Sequence, residues 1–128
     1  MPPHDAPFIL LVDDERDLIE VLQDALALAL PDQPVVAVTT VEEAEEAVSR
    51  TAQAPSLVCV DHKLGERSGL ELLESLRTRF PDTPAILLTG QAPADVEARA
   101  RALGAQVLWK PIALARWIAA VRDRLGVT

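Results

Sequence analysis

The sequence predicts an α/β domain, a parallel sheet covered by helices on both faces. Three observations predict it. Five short apolar runs alternate with five longer segments of helical periodicity. The leading runs are continuously apolar rather than alternating, as in strands buried on both sides. The first, third, fourth and fifth stop at Asp13, Asp61, Thr89 and Lys110, which gathers polar groups at one sheet edge. With 128 residues, 49% hydrophobic and 25% charged, the chain is sized for one such domain with a core that needs no cross-link.

The first strand is Phe8 to Val12, ending at Asp13-Asp14-Glu15. Leu18, Leu22, Ala25, Leu26 and Ala29 then recur at three- and four-residue spacing, which predicts a helix. Pro31 and Pro34 bracket a turn before the second strand, Val35 to Val38. Thr40-Val41-Glu42-Glu43 matches a capping box and opens a helix striped by Ala44, Ala47 and Val48. The third strand, Ser56 to Val60, halts at Asp61, and His62 to Arg67 reads as a polar loop. Ser68-Gly69-Leu70-Glu71 is a second capping box, followed by Leu72, Leu73, Leu76 and Phe80. Pro81 and Pro84 precede the fourth strand, Ala85 to Leu88, which ends at Thr89-Gly90. The fourth helix has only a thin stripe of Val96, Ala100 and Leu103, with Pro93 in its first turn and Gly104 at its end. Gln106 to Trp109 is the fifth strand, ending at Lys110-Pro111, and the last helix carries Leu114, Trp117, Ile118, Val121 and Leu125.

Composition excludes several roles. A net charge of −8 repels phosphate backbones, so direct DNA binding is not expected. No apolar run approaches the roughly 18 residues of a membrane span. Residues 1–7 have neither the basic start nor the apolar stretch of a secretory signal and read as a tail. The single cysteine, Cys59, excludes an internal disulfide and suits a reducing compartment. A cytoplasmic domain is expected over residues 8–128.

Ligand sites of doubly wound sheets lie beyond the carboxyl ends of the strands. Here those ends deliver Asp13 and Asp14, Asp61, Thr89 and Lys110. Each alone has an ordinary explanation as a helix cap or a solvated charge. Together, the acids would repel one another unless a cation balanced them. Oxygen ligands few in number suit Mg²⁺ better than zinc, because Cys59 falls inside a strand and His4 in the tail. A carboxylate beside such a metal, with a hydroxyl and an ammonium near, can attack phosphorus.

From Phe8 to Leu125 the ordered set Asp13-Asp14, Asp61, Thr89-Gly90 and Lys110-Pro111 resembles the receiver domain of bacterial two-component response regulators. Phe80 to Gly90, Gly69 eight residues after Asp61, and Gly104-Ala105 resemble it as well. The resemblance implies a flavodoxin-like (βα)5 three-layer sandwich with strand order 2-1-3-4-5. It implies that Asp61 accepts a phosphoryl group from a sensor histidine kinase or a histidine phosphotransfer protein. Mg²⁺ (or Mn²⁺) would be bound by Asp14, Asp61 and the backbone carbonyl of Lys63, and by Asp13 through water. Thr89 and Lys110 would bind phosphoryl oxygens, and the peptide bond before Pro111 would be cis. Such a protein is not a conventional enzyme: it catalyses its own phosphorylation and dephosphorylation. It would act on a downstream protein, or form a homodimer, through the face of helix four, strand five and helix five.

Two positions depart from the family. Gly65 stands where a proline is usual, and Val107 replaces the tyrosine or phenylalanine that normally switches with Thr89; the chain has no tyrosine. Trp109 falls on the same side of the strand as Val107, either to take part in switching or to pack in the core. Trp117 is expected at the core edge, Cys59 within the core, His62 as a solvated loop residue, and Arg99, Arg101, Arg116, Arg122 and Arg124 on solvated faces. A haloacid-dehalogenase-type phosphatase is disfavoured because the second aspartate it needs is replaced by Glu15 or Lys63. A flavin binder is disfavoured because Asp-Asp-Glu would repel the flavin phosphate. The remaining alternative is a degenerate receiver that serves only as an interaction module; the complete set of five site residues argues against it.

Overall fold

In the computed structural model, which describes residues 7–91 and 93–127, the predicted alternation of strands and helices is present. The expected tail, apart from Pro7, lies outside the described residues, as does Thr128. β1 (Ile9–Val12) is followed by α1 (Arg16–Ala29), β2 (Val35–Val38), α2 (Val41–Ser49) and β3 (Leu57–Asp61). A short hairpin, β4 (Lys63–Leu64) and β5 (Arg67–Ser68), leads into α3 (Gly69–Arg79). β6 (Ala85–Thr89), α4 (Ala94–Ala102), β7 (Ala105–Trp109) and α5 (Leu114–Leu125) complete the chain. The sheet order is β2-β1-β3-β6-β7, all parallel, which is the expected order 2-1-3-4-5 once the hairpin strands are left uncounted.

Alternation along the strands sorts the apolar runs into two cores. Leu10, Val12, Val58, Val60, Leu87 and Val107 face α2, α3 and α4. Ile9, Leu11, Leu57, Cys59, Ile86, Leu88 and Leu108 face α1 and α5. Burial on both faces explains why the runs are continuously apolar. Among the described residues, no helix is long and apolar enough to cross a membrane.

Local details differ from the sequence expectation. The loop after Asp61 is the β4–β5 hairpin, with Leu64 buried. The stripe of α1 centres on Ile19, Leu22 and Leu26, with Leu18 and Ala25 at its edges. Ser68 and Glu71 form the full capping box at α3. At α2 only half of one forms: Glu43 N–H donates to Thr40 Oγ1, while the Glu43 carboxylate accepts from Thr39 instead of closing onto Thr40. Trp117 lies deep in the core, not at its edge, and its indole N–H donates to Cys59 Sγ at 3.4 Å. Leu114, expected in the same stripe, is exposed. Leu114 is the first residue of α5, one turn before Trp117, and only Trp117 is covered.

Candidate functional site

The parallel ladder brings the carboxyl ends of four strands to one edge. Val12 is level with Val60, Asp61 with Leu88, and Thr89 with Trp109. Backbone hydrogen bonds extend the alignment one residue past the strands: Asp13 N–H donates to Val38, His62 to Leu88 and Lys110 to Thr89. Asp61 and Thr89 end their strands, and Asp13 and Lys110 immediately follow theirs. The Lys110–Pro111 peptide bond is cis.

Lys110 Nζ stands 3.1 Å from Asp13 Oδ2, 3.2 Å from Asp61 Oδ2 and 2.8 Å from Glu15 Oε1. Asp13 and Asp61 are buried, and Glu15 is exposed. Beside them opens a cleft of about 400 Å³ lined by Asp14, Glu15, Asp61, Lys63, Thr89, Gly90, Gln91 and Lys110. Every chemistry-bearing residue picked out at the strand ends therefore borders one cleft or the ammonium beside it.

Glu15 is the residue that the sequence reading missed. Its only signal in the sequence is its place as the third acid of the Asp13-Asp14-Glu15 run. Asp13, Glu15 and Asp61 each bring one oxygen within 4.8 Å of the others. Asp14 lines the same cleft, but its Oδ2 accepts from Gly65 N–H at 3.3 Å. Gly65 makes that contact at φ 66, a backbone angle that proline cannot adopt, and with an N–H that proline lacks.

One ammonium does not neutralise this cluster. Burial, then the charge of Asp13, pushes the Asp61 carboxyl up to about 6 against the pull of Lys110. Burial likewise raises Asp13. Burial works against the Lys110 ammonium, but the nearby Glu15 and Asp13 carboxylates outweigh it and raise its pKa. Asp13 Oδ2 is buried without a hydrogen bond, held only by the neighbouring ammonium charge. An orphaned carboxylate oxygen, excess negative charge and an all-oxygen donor set fit a hard divalent cation such as Mg²⁺ or Mn²⁺. Cys59 offers no competing chemistry, since burial pushes its thiol up to about 12.

The hairpin after Asp61 is fixed at several points. Gly69 N–H donates to the His62 carbonyl at 2.8 Å, and Arg67 pairs with Glu42 on α2. His62, expected to be solvated, is half-buried, with Nδ1 buried and lacking a hydrogen bond. It lines a second hollow with Lys63, Gly90, Gln91, Pro93, Val96 and Trp109. Trp109 does not pack in the core: 47% of its surface is exposed. Val107 is buried on the α4 side. Arg99 and Arg101 pair with Glu74 and Glu97, and Arg122 and Arg124 bond Ala29 and Gln106, so four of the five arginines do more than solvate.

A family profile described as the response regulator receiver domain matches residues 9–122. The chain is 37% identical over 97 residues to the response regulator protein FleR of Pseudomonas aeruginosa, covering 76% of this chain and 20% of that protein. It is 33% identical over 108 residues to the response regulator protein PilR of the same organism, covering 84% and 23%. The chain thus spans about a fifth to a quarter of the length of these relatives. Among solved structures, the non-phosphorylated HemR receiver domain of Leptospira biflexa is similar with a TM-score of 0.84 at 31% identity, covering 96% of this chain and 97% of that one.

Proposed function

The chain belongs to the family of response regulator receiver domains, and from that membership we propose that it is the phosphoacceptor of a two-component phosphorelay. The observation that carries the proposal is the Asp61 carboxylate, held beside Asp13 and Lys110 at the wall of an open cleft. An Asp61 oxygen attacks the phosphorus of a phosphohistidine on a sensor histidine kinase or a phosphotransfer protein. The phosphorus–nitrogen bond breaks, and the leaving imidazole takes a proton from solvent. Lys110 moves with the transferring group and neutralises one of its oxygens, and the Thr89 hydroxyl donates to another. Asp13, Asp14, Asp61 and the Lys63 carbonyl are the groups that would hold Mg²⁺ or Mn²⁺, which supplies positive charge to the remaining oxygens. Hydrolysis of the acyl phosphate returns Asp61, so the domain catalyses its own cycle and turns over no separate substrate.

The output is a protein contact rather than DNA, in keeping with the net charge of −8. The face formed by α4, β7 and α5 presents exposed Trp109, Leu114 and Arg116 to a downstream partner or a second copy. A lone cysteine, which suits a reducing compartment, supports a cytoplasmic location for the domain. Incubation with acetyl phosphate and Mg²⁺, followed by intact-mass measurement, tests the reading. One phosphoryl group is expected, absent in Asp61→Asn and in EDTA. A gain that survives Asp61→Asn sinks the assignment. No gain in the native chain would leave an interaction module in its place.

A further inference from the structure

We infer that Glu15 is a positioning residue, which holds the Lys110 ammonium in the unphosphorylated domain and must release it when Asp61 is phosphorylated. The inference rests on the phosphoacceptor reading and adds a residue to it. Glu15 has a fixed root. Its N–H donates to Asp13 Oδ1 at 2.9 Å, and its carbonyl accepts from Ile19 N–H at 3.0 Å as α1 begins. Its side chain is not spent on capping that helix. It reaches instead across the sheet edge to Lys110, 95 residues away, at 2.8 Å, the shortest of the three ammonium contacts.

The three partners of Lys110 are not equivalent. The side chains of Asp13 and Asp61 are 2% and 9% exposed, whereas that of Glu15 is 59% exposed. Water compensates Glu15 fully if the ammonium leaves, but it cannot compensate the buried pair. An ammonium has three donors, and three carboxylates surround this one. A phosphoryl group on Asp61 adds oxygens that need a donor, and the contact that costs least to give up is Glu15. The carboxylate of Glu15 therefore competes with the phosphoryl group for Lys110. The phosphorylated state bears the loss of that contact.

Beryllofluoride, a phosphoryl mimic, reads this competition in the full chain at saturating Mg²⁺. Glu15→Gln should tighten beryllofluoride binding by about threefold, the scale of a largely exposed ion pair. In a Lys110→Ala background the same substitution should change affinity little, since the competed donor is gone. Equal tightening in both backgrounds would mean that Glu15 merely repels the anion, and would overturn the inference. So would weaker Mg²⁺ binding in Glu15→Gln with no gain for beryllofluoride, which would mark Glu15 as a metal ligand. A direct readout is the Lys110 ammonium resonance in metal-free protein. It should shift in Glu15→Gln, and in the native chain it should move the same way once beryllofluoride and Mg²⁺ are added. An unmoved Lys110 signal in Glu15→Gln rejects the contact outright. Failure of the native chain to bind beryllofluoride with Mg²⁺ would instead overturn the phosphoacceptor reading, so the two failures are distinct.

Discussion

A Cβ placed on Gly69 would lie 2.0 Å from the carbonyl oxygen of Asp61 and 2.8 Å from a Val60 methyl, so this glycine is fixed by space rather than by backbone angle. Gly69→Ala should cost about 1–3 kcal/mol, the range for overpacking, and should slow acetyl phosphate transfer by displacing Asp61. A urea midpoint equal to that of the native chain would contradict the close approach. Asp61 itself is a strained charge. Its folded pKa of about 6 lies above the roughly 3.9 of a free aspartate, so the folded state binds this proton more tightly. The stability it lends is present in full below about pH 4 and is lost as pH rises through about 6. Asp13, also raised by burial, acts in the same direction, while Lys110 stays charged throughout. Metal-free Asp61→Asn should therefore melt higher than the native chain at neutral pH, with the advantage shrinking on acidification towards pH 4. Melting curves in EDTA at both ends of that range check it; a variant less stable at neutral pH would refute the sign.

Among the helices, α4 is the weakest candidate for a rigid element. Its buried anchors are only Val96 and Ala100, with Leu103 partly buried beyond its end, and Pro93 offers no side-chain cap. α5, by contrast, buries Trp117, Ala120 and Val121. α4 also borders the hollow that begins at Gly90 and Gln91, next to Thr89. A short, thinly anchored helix beside the reacting group is the element that phosphorylation can bias most cheaply. Hydrogen exchange with and without beryllofluoride should show its largest change between Gly90 and Gly104, with a smaller one at Trp109. Thr89→Ala should reduce both. Identical exchange of α4 in the two states would redirect the switch to another surface.

At the scale of the whole molecule, charge is the unbalanced quantity. The chain carries −8, and part of that excess is concentrated at one sheet edge, where three carboxylates share one ammonium. A ligand that binds only the folded state raises its stability by mass action. Mg²⁺ should therefore raise the melting temperature beyond what sodium chloride of equal ionic strength achieves, saturably. Asp14→Ala should abolish the increment. An increment that survives in Asp14→Ala would remove Asp14 from the ligand set.

The apolar runs and helical periodicity were enough to determine the five parallel strands, the five helices and the edge at which Asp13, Asp61, Thr89 and Lys110 meet. The reason is local: a strand buried on both faces must be apolar throughout, and the first polar residue after it marks the edge. Glu15 and His62 were not legible in this way. Glu15 acts on a residue 95 positions away, and nothing in its neighbours distinguishes a charge that reaches Lys110 from one that faces water. His62 was placed half inside by the β4–β5 hairpin, a pairing of two-residue strands too short to leave a pattern in sequence. Trp117, expected at the core edge, and Trp109, left open between switching and core packing, escaped the sequence for a similar reason. Periodicity says which residues share a face, but only the packing of α4 and α5 on the sheet decided that Trp117 is covered and Trp109 is left at the rim.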